Sequence, residues 1–233
     1  MRGVLLALLL FSAAVAGQPA AEEAFGAWVP EGWTLRQQAV GDLDKDSRPD
    51  AVLVLEEDNP LNRKRNDYMG PAELNLNPRR LLVLLNGEAG YRPVLSVDHF
   101  LPSQHDEETP CLDDPLDMGG VEVKRGLLEV SLHYWLSCGS YAVSNRTFKF
   151  RYQEGRFRLI GLDTWGFMRN SGERTERSIN FLTGKRKVTT GLNEFEESRP
   201  VVRWENVDAG DPLFIDAMSS SCWADGKVPI WCE

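Results

Sequence analysis

Across residues 127–162 apolar and polar side chains alternate with a period of two, and short turns break the alternation at regular spacing. Leu128, Val130, Leu132 and Tyr134 interleave with Glu129, Ser131 and His133, and Phe148, Phe150 and Tyr152 with Thr147, Lys149 and Arg151. Successive side chains of a strand point to opposite faces, so this pattern specifies sheets with one buried and one wet face. A helical period would scatter the same apolar residues around a cylinder. Lys124-Arg125-Gly126, Gln153-Glu154-Gly155 and Thr183-Gly184-Lys185 supply the reversals between strands. Strands are expected at 37–40, 51–56, 80–85, 91–97, 121–123, 127–135, 146–152, 157–162, 179–182, 187–190 and 200–205. The fold class is therefore all-β: antiparallel hairpins forming a twisted sheet, a sandwich or a partial barrel. No fixed-period repeat is present, which counts against a propeller. Phe148, Phe150, Phe157, Leu159 and Phe181 are expected to be buried on one side of the sheet.

Between the first two expected strands lies Gly41-Asp42-Leu43-Asp44-Lys45-Asp46-Ser47-Arg48-Pro49-Asp50. Counted from Asp42, aspartates occupy positions 1, 3, 5 and 9. Carboxylates this close repel one another unless a cation sits among them. Many hard oxygens on an adjustable loop suit Ca²⁺ better than Mg²⁺, which keeps its water and a strict octahedron. The expected ligands are Asp42, Asp44, Asp46 and Asp50, with the backbone carbonyl of Arg48 as a further oxygen. The alternative is an acidic turn capped by its own Asx hydrogen bonds. An EF-hand is excluded: Leu53 stands where the bidentate Glu would be, Ser47 stands in place of Gly, and a strand follows instead of a helix.

A D-x-D-x-D-x-x-x-D loop opened by Gly-Asp and leaving into an apolar strand resembles the calcium loop of FG-GAP/VCBS repeats, the blades of integrin-α-type propellers. The resemblance covers residues 40–55 and implies a calcium site there; Ser47 departs from the usual Gly. Residues 148–185, with Phe148-Lys149-Phe150-Arg151-Tyr152 and Ser178-Ile179-Asn180-Phe181, resemble an uncharacterised family of exported bacterial proteins, which implies no activity.

Location is read from the N-terminus. Residues 1–16 have a charged start at Arg2, an apolar run and a small-x-small end at Ala14-Val15-Ala16, the form of a signal peptide. Residues 17–233 then form one β-rich domain, periplasmic or secreted, with the calcium loop at 41–50 and no membrane span. The whole chain carries 26 basic and 35 acidic residues, a net charge of −9 that argues against nucleic-acid partners. Cys111, Cys138, Cys222 and Cys232 are an even set without C-x-x-C, which points to disulfides in an oxidising compartment. The local pairing, 111–138 and 222–232, is expected, with the second bridge pinning a C-terminal tail that contains Trp223 and Trp231.

Catalytic signals are sparse. The three histidines lack zinc spacing, and Ser140 lacks a G-x-S-x-G elbow. Asp106, Glu107, Glu108, Asp113, Asp114 and Asp117 form an acidic loop that could serve a hydrolase or a second cation. Residues 58–78 read as a long polar excursion. The expectation is an exported calcium-binding β protein, a binding or structural module of the cell envelope with an envelope protein or glycan as partner. The alternatives are a secreted hydrolase using the loop at 106–117 and an extracytoplasmic enzyme inhibitor.

Overall fold

The computed structural model describes residues 24–208 and 210–219. The expected signal peptide and the Cys222–Cys232 tail lie outside these residues. Thirteen strands follow in chain order. The first six are β1 (Trp33–Gly41), β2 (Asp50–Glu57), β3 (Arg63–Arg65), β4 (Glu73–Asn75), β5 (Arg79–Gly87) and β6 (Gly90–Val97). Then come β7 (Gly120–Lys124), β8 (Leu127–Trp135), β9 (Ala142–Gln153), β10 (Arg156–Met168), β11 (Glu173–Asn180), β12 (Lys185–Asn193) and β13 (Val201–Asn206). They make a four-stranded sheet ordered β1-β2-β5-β6, a seven-stranded sheet running in sequence from β13 to β7, and the small pair β3-β4. All pairings are antiparallel, and the two large sheets pack as a sandwich, not a closed barrel.

The main core lies between the sheets. Val52, Val54, Leu81 and Val83 of the small sheet meet Leu128, Val130, Phe148, Phe150, Phe157 and Leu159 of the large one. The five residues expected to share a buried face all belong to this core, with Phe181 closing it. The small sheet is covered on its other side as well. Phe25, Ala51, Leu53, Leu55, Leu82 and Leu84 form a second cluster under Trp28, Trp33 and Tyr91. Burial on both faces explains why β2 and β5 read as unbroken apolar runs while β8 and β9 alternate. Trp33 pairs with Glu57, at the end of the β1–β2 hairpin away from the acidic loop. Tyr91 is the ring that reaches the acidic loop, donating to the carbonyl of Pro49 at 3.1 Å.

The β7–β8 and β9–β10 turns place Arg125 and Gly126, and Glu154 and Gly155, at positive φ. This is the two-residue geometry that matches strand twist. The polar excursion at 58–78 holds the β3–β4 pair, and its later part is buried: Leu74, Asn75 and Asn77 are 3%, 4% and 0% exposed. β10 runs to Met168 and β11 begins at Glu173, so both extend beyond the strands expected at 157–162 and 179–182.

Candidate metal centre

The acidic loop joins β1 to β2, with Gly41 paired to Asp50 across its base. Asp50 is fully buried and acts as the anchor. Its Oδ2 accepts from the Leu43 amide at 2.7 Å and its Oδ1 from the Asn86 amide at 2.9 Å. Asp42 organises the turn: Oδ1 accepts from the amides of Lys45 at 2.6 Å and Asp46 at 3.1 Å, and Oδ2 from that of Ser47 at 3.0 Å. Asp44 Oδ1 accepts from the Asp46 amide at 3.2 Å. The loop therefore makes the Asx hydrogen bonds of a capped acidic turn. It also does something such a turn does not require. One carboxylate oxygen each from Asp42, Asp44 and Asp50 lie within 4.8 Å of one another, a group that could hold a metal ion.

Electrostatics register the crowding. The Asp44 carboxyl is raised above its ordinary value of 3.8, first by burial and then by Asp50, Asp46 and Asp42, partly offset by the Asp46 amide. Asp46, expected as a ligand, is turned to Arg48 instead: its Oδ1 accepts from the Arg48 amide at 2.8 Å and its Oδ2 is ion-paired with the guanidinium. Arg48 Nε donates to the carbonyl of Asn86 at 2.7 Å, tying the loop to the end of β5.

Two backbone features shape the loop. Lys45 and Ser47 both lie at φ +68°. Ser47 thus takes the left-handed conformation that glycine adopts most readily, and a side chain there is strained by about 1–2 kcal/mol. Ser47→Gly is expected to stabilise the fold by roughly 0.5–1 kcal/mol, after the added freedom of glycine in the unfolded chain is counted. A urea melt showing no gain would contradict that reading. Gly41 is set by packing: a Cβ there would lie 2.6 Å from Val123 Cγ1. The seven-stranded sheet therefore presses on the loop, and the β7–β8 turn follows it, since a Cβ on Gly126 would lie 3.5 Å from the Asp42 carbonyl.

The second acidic group is dispersed by the fold. Asp106 caps its own turn through the amide and hydroxyl of Thr109, at 2.7 Å each, and Glu107 pairs with Lys64 at 2.6 Å. Asp114 is structural. It takes a two-pronged contact from Arg79, at 2.6 and 2.5 Å, while Arg79 Nε donates to Glu56 at 2.7 Å. Asn75 Nδ2 completes Glu56 at 3.0 Å and Asn77 Nδ2 donates to Asn75 at 2.6 Å. Burial opposes the charge on Arg79, but Asp114 and Glu56 outweigh it and raise the guanidinium's pKa. Of the acidic loop, Asp113 and Asp117 face a cleft together with His133 and Trp135. Cys111 and Cys138 form the expected disulfide. Beside it the segment continues β7's edge along β8, with the Asp113 amide on the Trp135 carbonyl at 2.9 Å and the His133 amide on that of Pro115 at 2.8 Å.

Sequence reasoning missed Arg79, Glu56 and the aromatic lining of that cleft. The signals were an Arg at the mouth of an apolar run, a Glu at the end of another, and Trp165 and Phe167 two apart. The disulfide is compatible with an exported protein, and among the described residues no helix is long and apolar enough to cross a membrane. No protein-family model matches the chain, and no curated protein or solved structure is found to be similar to it, so the FG-GAP/VCBS likeness rests on the loop residues alone.

Proposed function

We propose that this chain is an exported calcium-binding β module, serving in binding or structural support at the cell envelope. The observation that carries the reading is that one carboxylate oxygen each from Asp42, Asp44 and Asp50 lie within 4.8 Å of one another on a loop tied at its base through Asp50. Ca²⁺ is the hard cation that such a set of oxygens suits, because it tolerates irregular shells of six to eight ligands. Asp42, Asp44 and Asp50 supply the first oxygens. The carbonyl of Arg48 supplies another, and Asp46 joins by exchanging Arg48 for the ion. The ion offsets the repulsion that crowds Asp44 and ties the β1–β2 hairpin to β5 through Asp50 and Asn86. The hydrolase alternative loses Asp114, which is committed to Arg79.

Thermal melts in calcium and in chelator test the proposal. At free calcium about tenfold above the dissociation constant, linkage stabilises the fold by about 1.4 kcal/mol. The shift depends on pH in a defined sense. Asp44 holds its proton more tightly in the folded, metal-free protein than in the unfolded chain. Its ionisation therefore weakens the metal-free fold as pH rises through the raised value. Calcium must displace that proton, so the calcium-induced shift is expected to shrink as pH falls towards and through the raised Asp44 pKa, beginning above 3.8. An equal melting temperature with and without calcium at neutral pH would refute the proposal.

A further inference from the structure

The outer face of the seven-stranded sheet carries a groove that the calcium reading does not use. Pairing registers place Trp135 beside Val143 and Val143 beside Phe167, and, one row along, His133 beside Asn145, Asn145 beside Trp165 and Trp165 beside Glu176. All of these point away from the main core, because Leu132 and Tyr134 on β8, Phe148 on β9 and Leu162 on β10 hold the inward positions of the opposite parity. Asp113 and Asp117 overhang the first rows, and together they enclose a cleft of about 600 Å³. A second hollow of about 300 Å³ shares Trp165 and continues over Glu176, Ser178, Lys187 and Thr189. The two form one track across β8 to β12, about 19 Å at ordinary strand spacing.

The chemistry of the track selects its occupant. Its rings are held in place: Arg169 lies 4.1 Å from the Trp135 ring centre, fixed by bonds of 2.6 Å to the carbonyls of Leu136 and Ser140. Arg174 lies 5.2 Å from the Trp165 ring centre and is itself paired with Glu176 and Glu194. Each indole thus has a cation on it already, which disfavours a second, incoming cation. The charges close to balance. Asp163 is paired with Lys149, Glu176 with Arg174, and burial keeps His133 below its ordinary pKa of 6.5 despite Asp113. The carboxylates of Asp113 and Asp117 accept no hydrogen bond among the described residues, and Arg169, Arg177 and Lys187 offset them in sign. What remains is a shallow, nearly neutral track with fixed aromatic faces and hydrogen-bonding groups beside them, including Ser178 and Thr189. Such a surface matches a ligand with apolar C–H faces and many hydroxyls.

We propose that this face binds a neutral oligosaccharide, laid across β8 to β12 with sugar rings against Trp135 and Trp165 and hydroxyls donating to Asp113 and Asp117. This rests on the reading of the chain as a binding module, but not on calcium, because the acidic loop abuts the β7–β8 turn at the other end of β8.

The test titrates cellohexaose, chitohexaose and maltohexaose into the full chain, following tryptophan fluorescence and heat. At least one is expected to bind saturably. Trp165→Ala is expected to weaken binding by about tenfold or more, the effect of a central aromatic anchor. Asp117→Ala, which removes an exposed carboxylate without a partner, is expected to weaken it several-fold while leaving the melting temperature unchanged. Tetramethylammonium chloride serves as the cationic probe and is expected not to compete. Absence of saturable binding to all three sugars, displacement of the sugar by tetramethylammonium, or binding that Asp117→Ala leaves unchanged would each overturn the proposal. Running every titration in calcium and in chelator separates the two readings: a melting shift with calcium but no sugar binding removes this one alone.

Discussion

Arg79→Ala is expected to destabilise the fold by about 3–5 kcal/mol, the usual consequence of removing one member of a buried ion network. Arg79 is 1% exposed, and its partners Glu56 and Asp114 are 4% and 8% exposed. Truncation leaves two carboxylates without their cation inside the protein, and that uncompensated charge is the origin of the loss. The network also joins elements far apart in sequence: Glu56 lies next to the end of β2, Arg79 begins β5, and Asp114 belongs to the segment along β8. The same physics sets a control. Replacing Glu56, Arg79 and Asp114 together by apolar residues of similar volume is expected to lose much less than Arg79→Ala alone, because desolvation and attraction nearly cancel in a complete network. Urea melts of both variants decide this. A loss below about 1 kcal/mol for Arg79→Ala, the scale of ordinary surface changes, would show the network to be wet.

Phe150→Ala is expected to cost a similar 3–5 kcal/mol, by cavity formation in place of stranded charge. Phe150 is fully buried at the centre of the main core. Leu128 and Leu159 flank it across β8 and β10, and Phe100 meets it edge-on with ring centres 5.6 Å apart. Neighbours on three sides limit how far the hole can close. Trp204 on β13 gives the contrast: it is larger but 68% exposed, so Trp204→Ala is expected to stay within about 0.5 kcal/mol. A melt in which the two variants lose equally would mean that the inward and outward faces have been exchanged.

How much of this was legible beforehand follows from the range of the interactions. Strand alternation is local, so the all-β class, the turns at Gly126 and Gly155 and the shared face of Phe148 and Phe150 could be read directly. The acidic loop was legible because its carboxylates are close in sequence. Even there, whether Asp46 faces the other carboxylates depends on Arg48, whose side chain also reaches β5. The Glu56–Arg79–Asp114 network could not be read, since no local pattern announces that an arginine beside Arg80 turns inward while Arg80 pairs with the more exposed Asp98 at 2.6 Å. The extent of β10 was obscured by Gly166 and by the polar residues beyond it, which pattern reading assigns to a loop. Its aromatics gain meaning only once β8 and β9 set Trp135 and His133 beside them.

Calorimetric titration of calcium into the full chain and into its Asp44→Ala variant tests the central claim most directly. Asp44 stands in the carboxylate group and makes a single backbone contact, to the Asp46 amide, so its removal empties the centre of charge without dismantling the turn that Asp42 and Asp50 hold. The expected result is one site with a dissociation constant on the order of 10⁻⁴ M, in the range of extracellular calcium modules. The variant is expected to show no saturable binding at the same concentrations, and magnesium to bind more weakly than calcium. Calcium binding of equal strength in Asp44→Ala, or none in the parent chain, would contradict the account.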